Sequence, residues 1–462
     1  MENSTCGIKQ NTHLAELMHE VRLIIWDEVP MAQRYAFEAL DKTLRDILGY
    51  KCSEKRSQLF GGMPVLLGGD FRQILPVIPK GKRQEVVQAC VNRSDMWKYC
   101  QVFKLSRIMR VNEYTPHGDV NIRKQQFNKW VLDVGDGKVA AKAKDGEYEP
   151  TWIQIPEEFI IKSGNSPIEQ IVEAIFPNFA SRQDDEDYLR ERAILTPKND
   201  DADDINKHMY EKLRGQTLTY KSLDEICKGS TDTIDQEHLY PVEFLNTLKF
   251  QGMPPHELHL KIGLPVMLLR NVYPSSGMCN GTRLIITDLQ KFVIHARIIT
   301  GSHIGKMVII PTIVLTSTQS KWPFIMKRIQ FPVKPCYAMT INKSQGQSLD
   351  FVGLYLPRPV FSHGQLYVAL SRVTNAEGLK IIISEDNDKA FNNYTRNVVY
   401  KETFNNLQQN IEVLHENTYK FMLNLLCAYY LTYQSSNAYF SVNGGVTGGV
   451  IRRANQQQFQ QR

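Results

Sequence analysis

The feature that most constrains the fold is the run Val21-Arg-Leu-Ile-Ile-Trp-Asp-Glu-Val-Pro30. It is apolar through Trp26, ends in two adjacent carboxylates, Asp27 and Glu28, and then meets Pro30, which forbids a simple continuation of a strand. A buried parallel strand reads this way, with its acidic pair at the carboxyl end, where open α/β sheets bind ligands. Nucleotide-hydrolysing domains keep a magnesium-binding Asp and a water-activating Glu at that place. The same run also fits an ordinary strand end followed by a solvated turn. The rest of the chain must separate the two.

After Pro30 the positions Phe37, Leu40, Leu44, Ile47 and Leu48 have helical spacing, which predicts a helix ending at Gly49. Strands are predicted over Met63 to Asp70 and Val102 to Ser106. From about 112 to 190 the chain is polar and helix-prone. Arg192 to Pro197 then predicts a new buried strand, and Asp200 to Leu213 the helix after it, so a second α/β domain begins here. Between 241 and 333 short β-rich runs alternate with Gly, Pro and Ser turns, the texture of a small inserted β-barrel or sheet. Beyond it Ala338 to Gln347 reads as helical, Phe351 to Leu356 as a strand, His363 to Ser371 as a helix and Leu379 to Ile383 as a strand. Phe421 to Tyr433 suggests a packed or interfacial helix too short to span a bilayer, and the Gly- and Gln-rich end suggests disorder.

Length and composition bound this reading without choosing it. A chain of 462 residues has room for roughly two to four domains. A net charge of +6 permits a nucleic-acid partner. The eight cysteines form no CxxC pair, which argues against a zinc site or disulfide framework and for a reducing compartment. No apolar run reaches the roughly 20 residues of a membrane span, so no membrane partner is expected.

Four further stretches bear on the acidic pair. Gly68-Gly-Asp-Phe-Arg-Gln73 offers an amide, Gln73, after a strand. Leu105-Ser-Arg-Ile-Met-Arg110 offers a guanidinium. Ala338-Met-Thr-Ile-Asn-Lys-Ser-Gln-Gly-Gln-Ser348 gathers hydroxyls, amides, a lysine and a glycine, a donor-rich surface of the kind phosphates favour. Tyr367-Val-Ala-Leu-Ser-Arg-Val373 ends in Arg372. Each alone also fits a cap or a surface ion pair; their order along the chain is what carries information.

In that order the sequence resembles the PIF-type DNA helicases, superfamily-one motors that run five-prime to three-prime, and in particular their plant-type and Helitron-associated branch. The matching stretches are LIIWDEVPM, FEALDKTLRDIL, GGDFRQILPV, LSRIMR, ILTPKND, the segment 243–271, GMCNGTRLI, AMTINKSQGQSLD and YVALSRV, which together cover most of residues 5 to 405. The resemblance implies two RecA-like α/β domains that sandwich ATP, the second carrying an SH3-like β insertion. On the chain this places a partial first domain at 1–125, a connector at 126–190, the second domain at 191–240 and 334–405, the insertion at 241–333 and a family-unlike, partly disordered tail at 406–462. By motif, Asp27 would hold Mg2+, Glu28 activate the attacking water, Gln73 report the γ-phosphate, and Arg110 and Arg372 neutralise the transferring phosphoryl group. Thr340, Asn342, Lys343, Ser344 and Gln345 would couple nucleotide state to DNA, with Gly346 close to the nucleotide. The implied work is ATP-driven translocation on single-stranded DNA and DNA junctions in repair, recombination, replication or element mobility, in the nucleus or the mitochondrion.

One element of the family pattern has no match. A Gly-rich loop ending in Gly-Lys-Ser/Thr should precede Asp27, and none of the 26 residues before it fits. Gly301-Ser-His-Ile-Gly-Lys-Met307 imitates such a loop but has Met307 where a hydroxyl belongs, and reads as a hairpin turn. Without the loop the phosphates lose most of their cradle. The expectation is a helicase truncated at its amino end, with strand partners missing on one side of Val21 to Trp26. The competing expectations are a non-catalytic DNA-binding remnant and a fragment that does not fold stably.

Overall fold

The computed structural model describes residues 4–103, 121–162, 164–227, 240–317, 322, 324–383, 391, 393–407, 439–442 and 446–450. The chain divides into two compact units, one formed by 1–153, 360–368 and 396–462, the other by 154–359 and 369–395. No described helix is long and apolar enough to cross a membrane.

In the first unit, strand β1 (Ile24–Trp26) pairs in parallel with β2 (Val65–Leu67), Ile24 opposite Val65 and Trp26 opposite Leu67. Between them helix α1 (Arg34–Lys51) supplies the core, burying Phe37, Leu44, Ile47 and Leu48 on one stripe beside Trp26 and Phe60. The helix runs through Gly49 rather than stopping there. That glycine makes room for a neighbour, since a Cβ on it would lie 2.2 Å from Arg56 Cγ. The unit also holds helix α2 (Ile122–Gly135). The expected strand Val102 to Ser106 is described only through Phe103, and Phe421 to Tyr433 lies outside the described residues.

The free side of β1 is not left unpaired. The strand Val446–Val450, within the tail expected to be disordered, pairs antiparallel with it, and Tyr439–Val442 pairs with that strand in turn. The edge N–H and C=O groups of β1 gain partners in this way.

The second unit is built on a parallel sheet of β9 (Ala338–Thr340), β3 (Arg192–Thr196), β10 (Phe351–Leu356) and β11 (Leu379–Ile383), in that spatial order. All five residues of β3 are buried, as a central strand covered on both faces requires. Helix α3 (Pro167–Ile175) lies directly on β10, where a Cβ at Gly353 would meet Ile175 at 2.7 Å. Helix α4 (Asn199–Lys212) follows β3; the short helix α5 (Gln365–Leu370), whose residues through Val368 belong to the first unit, precedes Arg372 in the chain.

The β-rich part is antiparallel. Strands β4 (Pro265–Leu268), β5 (Arg283–Leu289), β6 (Val293–Ile298), β7 (Met307–Pro311) and β8 (Val333–Pro335) form a sheet in the order β7-β6-β5-β4-β8. Residues of β7 alternate exposed and buried, the pattern of a sheet with one solvated face. Gly301 and Gly305 both take positive φ in the β6–β7 turn, so the loop-like imitation there is a hairpin. This part begins earlier than position 241, because Leu223–Ile226 pairs with Met326–Gln330 and Leu218–Lys221 with Glu257–Leu260.

Candidate nucleotide and nucleic-acid site

The acidic pair lies at the carboxyl end of β1, beside the carboxyl end of β2. Gly68 N–H donates to the Trp26 carbonyl at 2.8 Å and Val29 N–H to the Gly68 carbonyl at 3.0 Å, so the pairing continues past both strands. Asp27 is exposed, and its Oδ1 accepts from the Glu28 N–H at 2.9 Å. Glu28 itself is left-handed, at φ 54° and ψ 35°, a conformation uncommon for a residue with a side chain and often concentrated at functional sites. The two glycines beneath are required by space. A Cβ on Gly68 would stand 3.0 Å from Asp27 Oδ1, and one on Gly69 would stand 2.2 Å from Pro30 Cδ.

Gln73 follows on the same loop, which is clamped from within its own unit. Asp70 Oδ1 accepts from the Arg72 N–H at 3.0 Å and Asp70 Oδ2 from the Tyr367 hydroxyl at 2.7 Å. His363 Nε2 lies 2.8 Å from the Phe71 carbonyl, and Nδ1 accepts from the Tyr400 N–H at 2.8 Å. That pairing fixes the neutral tautomer with its proton on Nε2. Burial drives the imidazole pKa down to about 4, outweighing the upward pull of the Phe71 carbonyl. Gly364, at φ 73°, packs so tightly that a Cβ would meet the Arg72 carbonyl at 2.3 Å. Arg72 also pairs with Asp136, whose carboxyl sits below the usual range: burial raises it, but the hydrogen bonds from Lys138 and Arg72 outweigh that.

In the second unit Ala338 to Gln347 is not a helix. It is β9 followed by a 3-10 turn over Ile341–Ser344. Parallel pairing of Ala338, Met339 and Thr340 with Ile194, Leu195 and Thr196 overrides the helical composition. Asn206 on α4 fixes the strand's entry: its Oδ1 accepts from Tyr337 N–H at 2.8 Å and Ala338 N–H at 2.9 Å, and its Nδ2 donates to the Ala338 carbonyl at 2.8 Å. Ser344 is fully buried and donates to the Ile341 carbonyl at 2.7 Å, so in this structure its hydroxyl shapes the turn. Thr340 is 8% exposed and stands at the turn's N-cap, while Asn342, Lys343 and Gln345 are half-buried. Gly346 is exposed at φ 78° with nothing within 4 Å of a Cβ, so the glycine answers to the backbone angle alone. Arg372 is 1% exposed; its Nη1 donates to the Gln347 carbonyl at 3.2 Å and Nη2 to Ser371 Oγ at 2.9 Å. Arg110 lies outside the described residues.

The structure therefore brings Asp27, Glu28 and Gln73 to the carboxyl end of the paired strands in the first unit, and in the second sets Arg372 against the Gln347 carbonyl, next to Gly346. Sequence reasoning missed Asn206, His363 and Tyr367, which act through backbone or through Asp70 and carry no local signature. For a divalent cation, Asp27 fits as one exposed carboxylate ligand over a glycine floor, with one oxygen engaged by Glu28 N–H. Mg2+ keeps several waters when held by one or two carboxylates, and no cluster of three or more acidic, His or Cys groups occurs among the described residues.

A family signature described as PIF1-like helicase matches residues 1–145, and one described as the 2B domain of DNA helicase Pif1 matches 243–289, inside the β-rich part. The ATP-dependent DNA helicase PIF1 of Danio rerio is 27% identical over 368 residues, covering 78% of this chain and 46% of the relative. Pif1 of Campylobacter jejuni is 27% identical over 380 residues, covering 80% and 71%. The chain thus spans about half the length of the animal relatives it matches. Among solved structures, Bacteroides Pif1 bound to single-stranded DNA superposes with a TM-score of 0.55 at 19% identity, over 94% of this chain and 81% of that one. A second, of Pif1 at forked duplex DNA, gives 0.53 at 21% identity, over 85% and 80%. These likenesses carry the fold, α/β with RecA-like domains. Two separate signatures, the relatives and the shared fold agree in what the chain is similar to, the PIF1-like helicases.

Proposed function

We propose that this chain carries the acidic and DNA-coupling halves of an ATP-dependent DNA helicase acting on single-stranded DNA and DNA junctions, in the nucleus or mitochondrion. The observation that carries this is the left-handed Glu28 beside Asp27 at the carboxyl ends of two parallel strands, with the clamped Gln73 loop on the same edge. In this reading Asp27 holds Mg2+, which when bound neutralises phosphate charge. Glu28 takes a proton from the attacking water. Gln73 responds to the terminal phosphate, and its clamped loop limits the reorganisation this needs. Arg110 and Arg372 supply positive charge to the transferring group. Thr340, Asn342, Lys343 and Gln345 face the nucleic acid, with Gly346 beside the nucleotide.

A second reading is favoured by one observation: residues 1–462 contain no Gly-Lys-Ser/Thr loop. In it the chain grips single-stranded DNA through the second unit without turnover. DNA-stimulated ATPase of the purified chain, beside Glu28→Gln, separates the two. Turnover that vanishes in Glu28→Gln supports the enzyme. Binding of DNA with no ATPase in either protein supports the non-catalytic reading, and no DNA binding at all removes both.

A further inference from the structure

The chain comes back to the first unit at Arg396, and residues 396–407 form a strap there that ends in two 3-10 turns, Lys401–Thr403 and Asn405–Leu407. Its main chain is pinned along its length. Asn397 N–H donates to the Thr151 carbonyl at 2.7 Å and Asn397 Nδ2 to the Val134 carbonyl at 2.9 Å. The Val398 carbonyl accepts from Gly364 N–H at 3.1 Å, the Glu402 carbonyl from Arg93 Nη2 at 2.8 Å and the Thr403 carbonyl from Asn92 Nδ2 at 2.7 Å.

Arg83 closes the strap from outside. Its Nη2 lies 3.0 Å from Glu402 Oε2 and its Nη1 2.7 Å from Glu149 Oε2, while its guanidinium carbon stands 5.2 Å from the centre of the Tyr400 ring. A planar fork that is stacked and paired at once is held in one orientation.

Beneath Tyr400 the strap meets the Gln73 loop through one imidazole. The His363 ring is 5.3 Å from the Tyr400 ring and 6.1 Å from the Phe404 ring, centre to centre, and the residue is 1% exposed. Because Nδ1 is occupied by the Tyr400 N–H, the proton sits on Nε2 and goes to the Phe71 carbonyl, two residues before Gln73. Both bonds are to backbone. If strap or loop moves without the other, a buried ring nitrogen loses its partner, which is unfavourable. On its other side the Phe71 ring meets Trp97 edge-on at 5.9 Å.

We propose that the strap is a latch on the Gln73 loop: His363 is a positioning residue that relays the seating of Tyr400 to Phe71 and Gln73, and the Arg83–Glu402 pair at the surface sets how firmly the loop is held. This rests on the reading above in which Gln73 responds to the terminal phosphate, and it names the element that decides how ready Gln73 is to do so.

The test is hydrogen exchange of the whole chain, followed by mass spectrometry on peptides covering the strap, the loop 68–75, helix α1 and strand β3. Glu402→Gln and Arg83→Gln change side chains that are 43% and 33% exposed, so both variants should fold. Each should speed exchange about two- to fivefold in the strap and in the loop together, and leave α1 and β3 at the parent's rate. Adding His363→Leu tests the path: with the imidazole gone, loop exchange should be the same with and without Glu402→Gln. If His363→Leu does not fold, the two surface variants decide the matter. A faster strap over an unchanged loop overturns the relay and leaves a strap that serves only the fold. Faster exchange in α1 as well overturns it too, as general loosening, and an unchanged strap overturns the role of the ion pair. In the DNA-stimulated ATPase assay Glu402→Gln should lower kcat by a similar factor with KM for ATP unchanged. A parent chain without ATPase removes the role given to Gln73, and the relay is then judged by exchange alone.

Discussion

The Tyr367 hydroxyl donates a 2.7 Å hydrogen bond to Asp70 Oδ2, joining the segment before Arg372 to the loop that carries Gln73. The ring is also packed: a Cβ on Gly135 would stand 2.6 Å from Tyr367 Cδ2. Tyr367→Phe keeps the ring and removes only the hydrogen bond. The expected loss is about 1 kcal/mol, because Asp70 keeps access to water and its other oxygen retains Arg72 N–H. Urea unfolding of the two proteins measures it, and a loss above about 3 kcal/mol would show that the hydroxyl does more than this bond.

His363 gives the fold a pH dependence of known sign. Its folded pKa, about 4, is depressed from the ordinary histidine value of 6.5, so the unfolded chain binds the proton more readily between those values. Stability is fully present above about 6.5 and is lost as pH falls through the window toward 4, by on the order of 3 kcal/mol. His363→Gln cannot titrate. It should be less stable at pH 7, and should lose less stability than the parent between pH 7 and 4. Parallel denaturation curves across that range would show that His363 does not titrate there.

Much of the site was legible because its chemistry is local in sequence. An apolar strand ending in two carboxylates, and a glycine pair before Asp70, need no distant partner to be read. The clamp was not legible, since His363 meets the Phe71 carbonyl from 292 residues away and any residue offers a carbonyl. Ala338 to Gln347 was misread for a related reason. Ala, Met, Lys and Gln favour a helix, but three residues of parallel pairing and the Asn206 amide decide otherwise, and both lie elsewhere in the sequence. Gly49 reads as a terminator from sequence alone, whereas its role is close packing against Arg56.

Two glycines separate space from backbone strain. Gly364 and Gly346 have φ near 73° and 78°, but a Cβ at Gly364 would strike the Arg72 carbonyl at 2.3 Å while one at Gly346 meets nothing within 4 Å. Gly346→Ala should therefore cost about 1 kcal/mol, the left-handed penalty alone. Gly364→Ala adds a backbone clash and should exceed about 3 kcal/mol or prevent folding. Thermal melts of the pair measure the difference, and equal losses would contradict this packing.

Another large single-residue effect is expected in the second unit, in the β-rich part. Arg328 and Asp224 stand directly opposite each other in the pairing of Met326–Gln330 with Leu223–Ile226. Nη2 lies 2.6 Å from Oδ2 and Nε 2.8 Å from Oδ1, with both side chains at most 1% exposed. The guanidinium also donates to the Pro254 carbonyl at 2.9 Å, so it ties a loop to the sheet as well as neutralising the aspartate. Arg328→Met leaves a carboxylate buried without its counter-charge, which should destabilise the fold by about 3 to 5 kcal/mol. Converting both, Asp224→Leu with Arg328→Met, removes the uncompensated charge and should recover a large part of that loss, the Pro254, Leu245 and Leu248 carbonyls being the remainder. Denaturation of the single and double variants gives the coupling directly. A double variant no more stable than Arg328→Met would show that the loop carbonyls, and not Asp224, are what Arg328 chiefly serves.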